Sequence, residues 1–84
     1  MQINKNIAIS ETGFVFNPIS GDSFSTNPCG QEILKKLKSD ISFNDLVEFI
    51  SDTFSVDKST TEKDIADFII MLKSYQILID DEQA

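Results

Sequence analysis

The order of hydrophobic periods constrains this chain more than any other feature. Apolar residues alternate with polar ones in the N-terminal part, a capped break falls at Asn27-Pro28, and three runs of helical period follow. Period two sends side chains to opposite faces of a strand, whereas a period near 3.6 gathers them on one stripe of a helix. Strands first and helices afterwards predict an α+β domain, an N-terminal three-stranded antiparallel sheet followed by three α-helices.

Ile3, Ile7 and Ile9 recur at odd positions, Phe14 and Phe16 continue the alternation after Thr12-Gly13, and Phe24 follows Ser20-Gly21-Asp22. That tripeptide holds residues that tolerate positive φ or bond their own backbone, so a hairpin is expected around it. Asn17-Pro18 ends the middle strand. The strands are placed near 5–10, 13–18 and 22–26.

Asn27 before Pro28 reads as a helix start, a capping side chain followed by a residue whose missing N–H is no loss there. The helix, about 28–38, turns Ile33, Leu34 and Leu37 inward and Lys35, Lys36 and Lys38 outward. Ser42 with Asp45 resembles a capping box, and Phe43, Leu46, Val47, Ile50 and Phe54 form an amphipathic stripe behind it. Ser55 to Ser59 is read as a loop, and the third helix opens at Ser59 or Thr61, with Glu62 and Asp64 three residues on. Ile65, Phe68, Ile69, Leu72 and Gln76 share its main face. Met71 and Tyr75 lie together on one flank and Ile70 on the other, so this helix has more apolar surface than one core stripe needs. Ile77-Leu78-Ile79 is a final short strand or a packed extension.

The 84 residues are read as a single domain spanning 1–84, with a core of about 5–79 and an acidic tail over 80–84. A chain this short buries only roughly 60% of its unfolded surface and has little stability to spare for an elaborate site. Net charge is −7 with no His, and all seven cations are Lys. Nucleic-acid binding needs clustered cations that release counterions, so it is not expected. No apolar run is long enough for a bilayer, and the basic-then-apolar layout of a signal peptide is missing, so a cytoplasmic protein without a membrane partner is expected.

Enzymatic readings find little to work with. The chain offers no His for general base chemistry, one Cys, and no Asp-x-Asp-x-Asp-Gly spacing for calcium. No catalytic residue, metal or cofactor is assigned. Cys29 falls in the first turn of a helix, where the dipole favours a thiolate, but a small residue packed under the helix start is the expected reading. Asp22-Ser23 matches the dipeptide that carries phosphopantetheine in acyl carrier proteins. There the Ser opens a helix, whereas Ser23 leads into the strand-like Phe24-Ser25-Thr26.

From about Thr12 to Asp80 the chain resembles the PqqD family of peptide chaperones, also called RiPP recognition elements. The resemblance is carried by the hairpin from Phe14-Val15-Phe16-Asn17-Pro18 through Gly21 to Phe24, then by Asn27-Pro28-Cys29-Gly30 and Ile33-Leu34 with Leu37. Phe43-Asn44-Asp45-Leu46-Val47-Glu48-Phe49-Ile50 and Asp64-Ile65-Ala66-Asp67-Phe68-Ile69-Ile70-Met71-Leu72 complete it. Thr26-Asn27 stands where the family commonly has Leu-Asn, and Ser39-Asp40 replaces a Gly often found between the first two helices.

The resemblance implies a winged-helix-like, non-enzymatic domain that binds the leader of a ribosomally made precursor peptide as an added strand. The groove lies between the third strand and the third helix, and the core peptide is presented to a modifying enzyme, often a radical SAM protein. The residues implied are Asp22, Ser23, Phe24, Ser25 and Thr26 on the edge, with Asp64, Phe68, Met71 and Tyr75 on the helix flank. An unpaired edge beside an apolar trough suits an extended peptide on physical grounds too. The alternative is a winged-helix-type interaction or adaptor domain that binds no leader.

Overall fold

A computed structural model describes residues 2–79, so the expected acidic tail at 80–84 lies outside the described residues. In chain order the elements are β1 (Gln2–Ile3), β2 (Ala8–Ile9), β3 (Phe14–Phe16), β4 (Ser23–Ser25), α1 (Pro28–Leu37), α2 (Phe43–Phe54), α3 (Lys58–Ser74) and β5 (Leu78–Ile79). Strands β2, β3 and β4 form the expected three-stranded antiparallel sheet, in that spatial order, and three helices follow it. This is the α+β, winged-helix-like arrangement, with ladders shorter than the alternating segments that announce them. A second antiparallel pair joins β1 to β5, Gln2 opposite Ile79 and Ile3 opposite Leu78.

The β3–β4 hairpin is organised by Asn17. Its buried side chain accepts from the N–H of Ile19 at 2.9 Å, its carbonyl accepts from Gly21 N–H, and its own N–H donates to the Asp22 carbonyl. Gly21 takes φ +81°, a left-handed backbone that costs glycine nothing. At the other end of the hairpin, Thr26 donates both its N–H and its hydroxyl to the Gly13 carbonyl, at 3.0 and 2.8 Å.

The phase of β3 is set by its partner strand rather than by its two Phe. Val15 is the buried residue, while Phe14 and Phe16 are 45% and 39% exposed. Alternation fixes the period of a strand but not its phase. Here the partner decides it: Val15 sits opposite Phe24, which turns toward the helices, so Phe14 and Phe16 share the outer face with Ser25 and Ser23.

Each helix begins on a side-chain cap. Asn27 Oδ1 accepts from Gly30 N–H at 2.8 Å and Ser42 Oγ from Asp45 N–H at 3.2 Å. The third helix opens earlier than Ser59 or Thr61, because Asp57 outcompetes both as a cap. Its carboxylate accepts from the Ser59 hydroxyl and from the N–H groups of Ser59 and Thr60. These bonds, the Ser59 hydroxyl foremost, hold the Asp57 carboxyl below its usual range. Thr61 is buried one turn on, its hydroxyl donating to the Asp57 carbonyl.

The third helix also stops sooner than the stripe suggests. Gln76, expected on its main face, lies beyond the end with φ +59°. Gln76 N–H donates to the Lys73 carbonyl and Ile77 N–H to the Leu72 carbonyl, the paired bonds of a Schellman stop. The reversal buries Ile77 and Leu78, and β5 lands against α3. Leu34 and Leu37 of α1, Leu46 of α2, and Ile65 and Leu72 of α3 meet in the core, each worth about 1.5–3 kcal/mol of burial. No helix among the described residues is long and apolar enough to cross a membrane.

Candidate functional site

β4 is an outer strand of its sheet, and its hydrogen-bond parity can be read from its ends. The Asp22 carbonyl accepts from Asn17, and Thr26 N–H donates to Gly13, so residues 22 and 26 turn their main chain toward β3. Antiparallel alternation gives Phe24 the same orientation and leaves the N–H and C=O of Ser23 and Ser25 pointing away from the sheet. Among the described residues, no backbone bond outside the strands themselves takes up these groups. An unpaired edge of this kind is a template for a further strand.

Beside that edge runs a cleft of about 700 Å³. Phe24, Ser25 and Thr26 form one lip, and Asp64, Phe68 and Met71 of α3 form the opposite wall. Asn27, Cys29, Gly30 and Ile33 at the start of α1, Ile50 and Phe54 of α2 with Val56 just beyond it, and Thr61 and Ile65 of α3 complete the lining. Tyr75 is outside the cleft lining, yet its ring lies 6.2 Å from that of Phe24 at 44°, an aromatic contact linking strand and helix. Asp22 and Ser23 continue the exposed edge beyond the lining. The residues expected from the sequence therefore lie in one neighbourhood, with Asp22, Ser23 and Tyr75 outside the cleft proper.

Asp64 is the charged residue of the lining, and the wall is otherwise apolar or small and neutral. Burial pushes the Cys29 thiol up, and the Asp64 carboxylate adds to that shift. Both effects oppose the helix dipole, so Cys29 is a packed wall residue rather than an activated nucleophile. Ser23 sits within a strand, not at a helix start, which removes the carrier-protein geometry. Among the described residues, no three His, Cys, Asp or Glu side chains converge as a metal site.

Sequence reading did not place Phe54, Val56 or Ile33 at this site. Phe54 and Ile33 carry the same helical spacing as core residues, and only the approach of α1 and α2 to β4 separates a wall from a core. Val56 is 40% exposed just past a left-handed Ser55 at φ 54°, a bend without a Gly to announce it.

The cleft can hold an extended chain whose backbone pairs with Ser23 and Ser25 and whose side chains enter an apolar trough. Comparison with known proteins bears on what this architecture belongs to. No curated protein matches the chain at a significant level. Two solved structures share its fold. One, a lasso peptide synthetase B1 complexed with the leader peptide, superposes with a TM-score of 0.84 at 21% identity, covering 94% of this chain and 96% of its own. The other, TbiB1 in complex with the TbiA(beta) leader peptide, gives 0.85 at 22% identity, covering 95% of this chain and all of its own. The family model described as coenzyme PQQ synthesis protein D (PqqD) matches residues 12–78, from ahead of β3 to the start of β5, and the chain belongs to the PqqD family.

Proposed function

We propose that this protein binds the leader of a ribosomally made precursor peptide, taking it as an added strand along β4 in the cleft against α3. The observation that carries this reading is the open edge of Ser23 and Ser25 lying alongside an apolar cleft. Membership of the PqqD family supports it, and so do the two fold neighbours, each solved with a leader peptide. In this reading Asp22 to Thr26 form the pairing edge, Phe68 and Met71 receive the leader's inward side chains, and Tyr75 with Phe24 closes one end. Asp64 favours a leader that is neutral or basic where it crosses the wall.

Exchange of water for protein leaves each backbone hydrogen bond a net of only about 0.5–1.5 kcal/mol. The edge therefore sets orientation and register, while docking of apolar side chains in the cleft supplies most of the selectivity. The protein performs no chemistry of its own here. It presents the precursor to a modifying enzyme, such as a radical SAM protein, in the cytoplasm where the precursor is made. The whole of 1–84 acts as one binding unit.

Titrating the isotope-labelled protein with the precursor peptide encoded beside its gene tests this by NMR. Shifts concentrated in 22–27 and 64–75 are expected. No shifts, or shifts confined to other surfaces, would exclude strand addition at this edge and leave a winged-helix-type adaptor with another partner.

A further inference from the structure

The outer face of the sheet carries an apolar patch that the cleft does not explain. Phe14 and Phe16, 45% and 39% exposed, share this face with Ala8, which is opposite Phe16. Toward the open edge the same face continues as Ser23 opposite Phe16 and Ser25 opposite Phe14. Ser10, the residue after β2, accepts from the Phe14 N–H on its hydroxyl oxygen and donates its own N–H to the Phe14 carbonyl. None of these side chains is charged. Large rings in the middle strand and small hydroxyls on the edge leave a shelf open on one side.

A strand added to β4 inherits the alternation of the sheet, whichever way it runs. Cross-strand neighbours share a face. The residue opposite Phe24 therefore points to the cleft, while those opposite Ser23 and Ser25 point to the outer face. They lie two strands from Phe16 and Phe14, about 10 Å between backbones, a gap that two large side chains leaning over a serine can bridge.

We infer that the outer sheet face is a second reading surface for the bound peptide, on which Phe14 and Phe16 pack against its outward-facing side chains across Ser23 and Ser25. This rests on the leader-binding reading above and adds to it. The occupant is the peptide already paired to β4, because the shelf runs without interruption from the two rings to that edge. The recognised segment then carries large apolar side chains on consecutive positions, on both faces, rather than alternating with polar ones. A charged outward residue would meet no partner on this face.

A serine scan of the synthetic precursor peptide encoded beside the gene tests it, with affinities measured on the native protein and on Phe14→Ser/Phe16→Ser. The expected result has two parities. Serine at inward positions weakens binding equally on both proteins, which also shows that the double variant is folded. Serine at outward positions weakens binding to the native protein about two- to five-fold, the scale of cross-strand pairs, and has no effect on the double variant. Outward substitutions that are silent, or equally costly on both proteins, would overturn the second surface while the cleft reading stands. Failure of the unmodified peptide to bind, or losses without parity, would overturn the leader reading itself and this inference with it.

Discussion

Two sides of α3 carry comparable apolar side chains and meet different fates. Ile69 and Leu72 are 7% and 0% exposed, closed in against α2 and the returning tail, while Ile65, 1% exposed, sits at the boundary and also lines the cleft. Phe68 and Met71, spaced as regularly, stay half-buried and face the cleft, and Tyr75 is 46% exposed. The covered residues are branched aliphatics and the cleft side carries Phe, Met and Tyr, yet all are large enough to be buried. What separates them is whether a neighbouring element arrives to cover them: α2 and β5 cover one side, while β4 stands off from the other and leaves room for a guest.

The largest effect should therefore come from the covered side. Leu72→Ala is expected to lose about 2–5 kcal/mol of stability in denaturant unfolding, a large part of what a small domain has, with the leader affinity of the remaining folded molecules unchanged. Met71→Glu should invert that pattern: unfolding changes by less than about 1 kcal/mol because the site stays open to water, while leader affinity falls at least about tenfold. Equal losses of stability from both would make the open side an ordinary core and erase the distinction. A smaller effect concerns Cys29 on the cleft wall. With its thiol raised by burial and by Asp64, alkylation at neutral pH should be slower than for a free thiol and should climb with pH. Asp64→Asn should speed it modestly, since removing the negative charge makes the thiolate easier to form, and bound leader should slow it again.

The helices were legible in the sequence because their caps act locally. Asn27 and Ser42 each satisfy an N–H three residues away, so their meaning does not depend on the rest of the fold. Asp57 was missed where several hydroxyl and carboxylate residues follow one another and only the actual bonds choose among them. The phase of Phe14-Val15-Phe16 was not legible, since two Phe around one Val invite the wrong face, and the deciding residue, Phe24, is on another strand. The edge and helix residues of the cleft, Phe24, Thr26, Phe68 and Met71, came from family resemblance and from the surplus apolar surface of α3. The contribution of α1 and α2 could not be read, because Ile33 and Phe54 become walls only through the way the helices converge.

The pairing of β1 with β5 has a consequence for how this molecule comes together. Gln2 meets Ile79 across nearly the whole chain, and the ladder is two residues long on each side. So short a ladder cannot meet the entropy of closing so long a loop unless the intervening helices have already drawn its ends together. Its pairing belongs to the last steps of folding and the first of opening, and its amides should exchange with solvent well ahead of those in α2. Asn4, donating its N–H to the Ile77 carbonyl at 2.8 Å and its side-chain amide to the Gln76 carbonyl at 3.0 Å, anchors the inner end of that seam, and Gln2 opposite Ile79 is the end expected to open first.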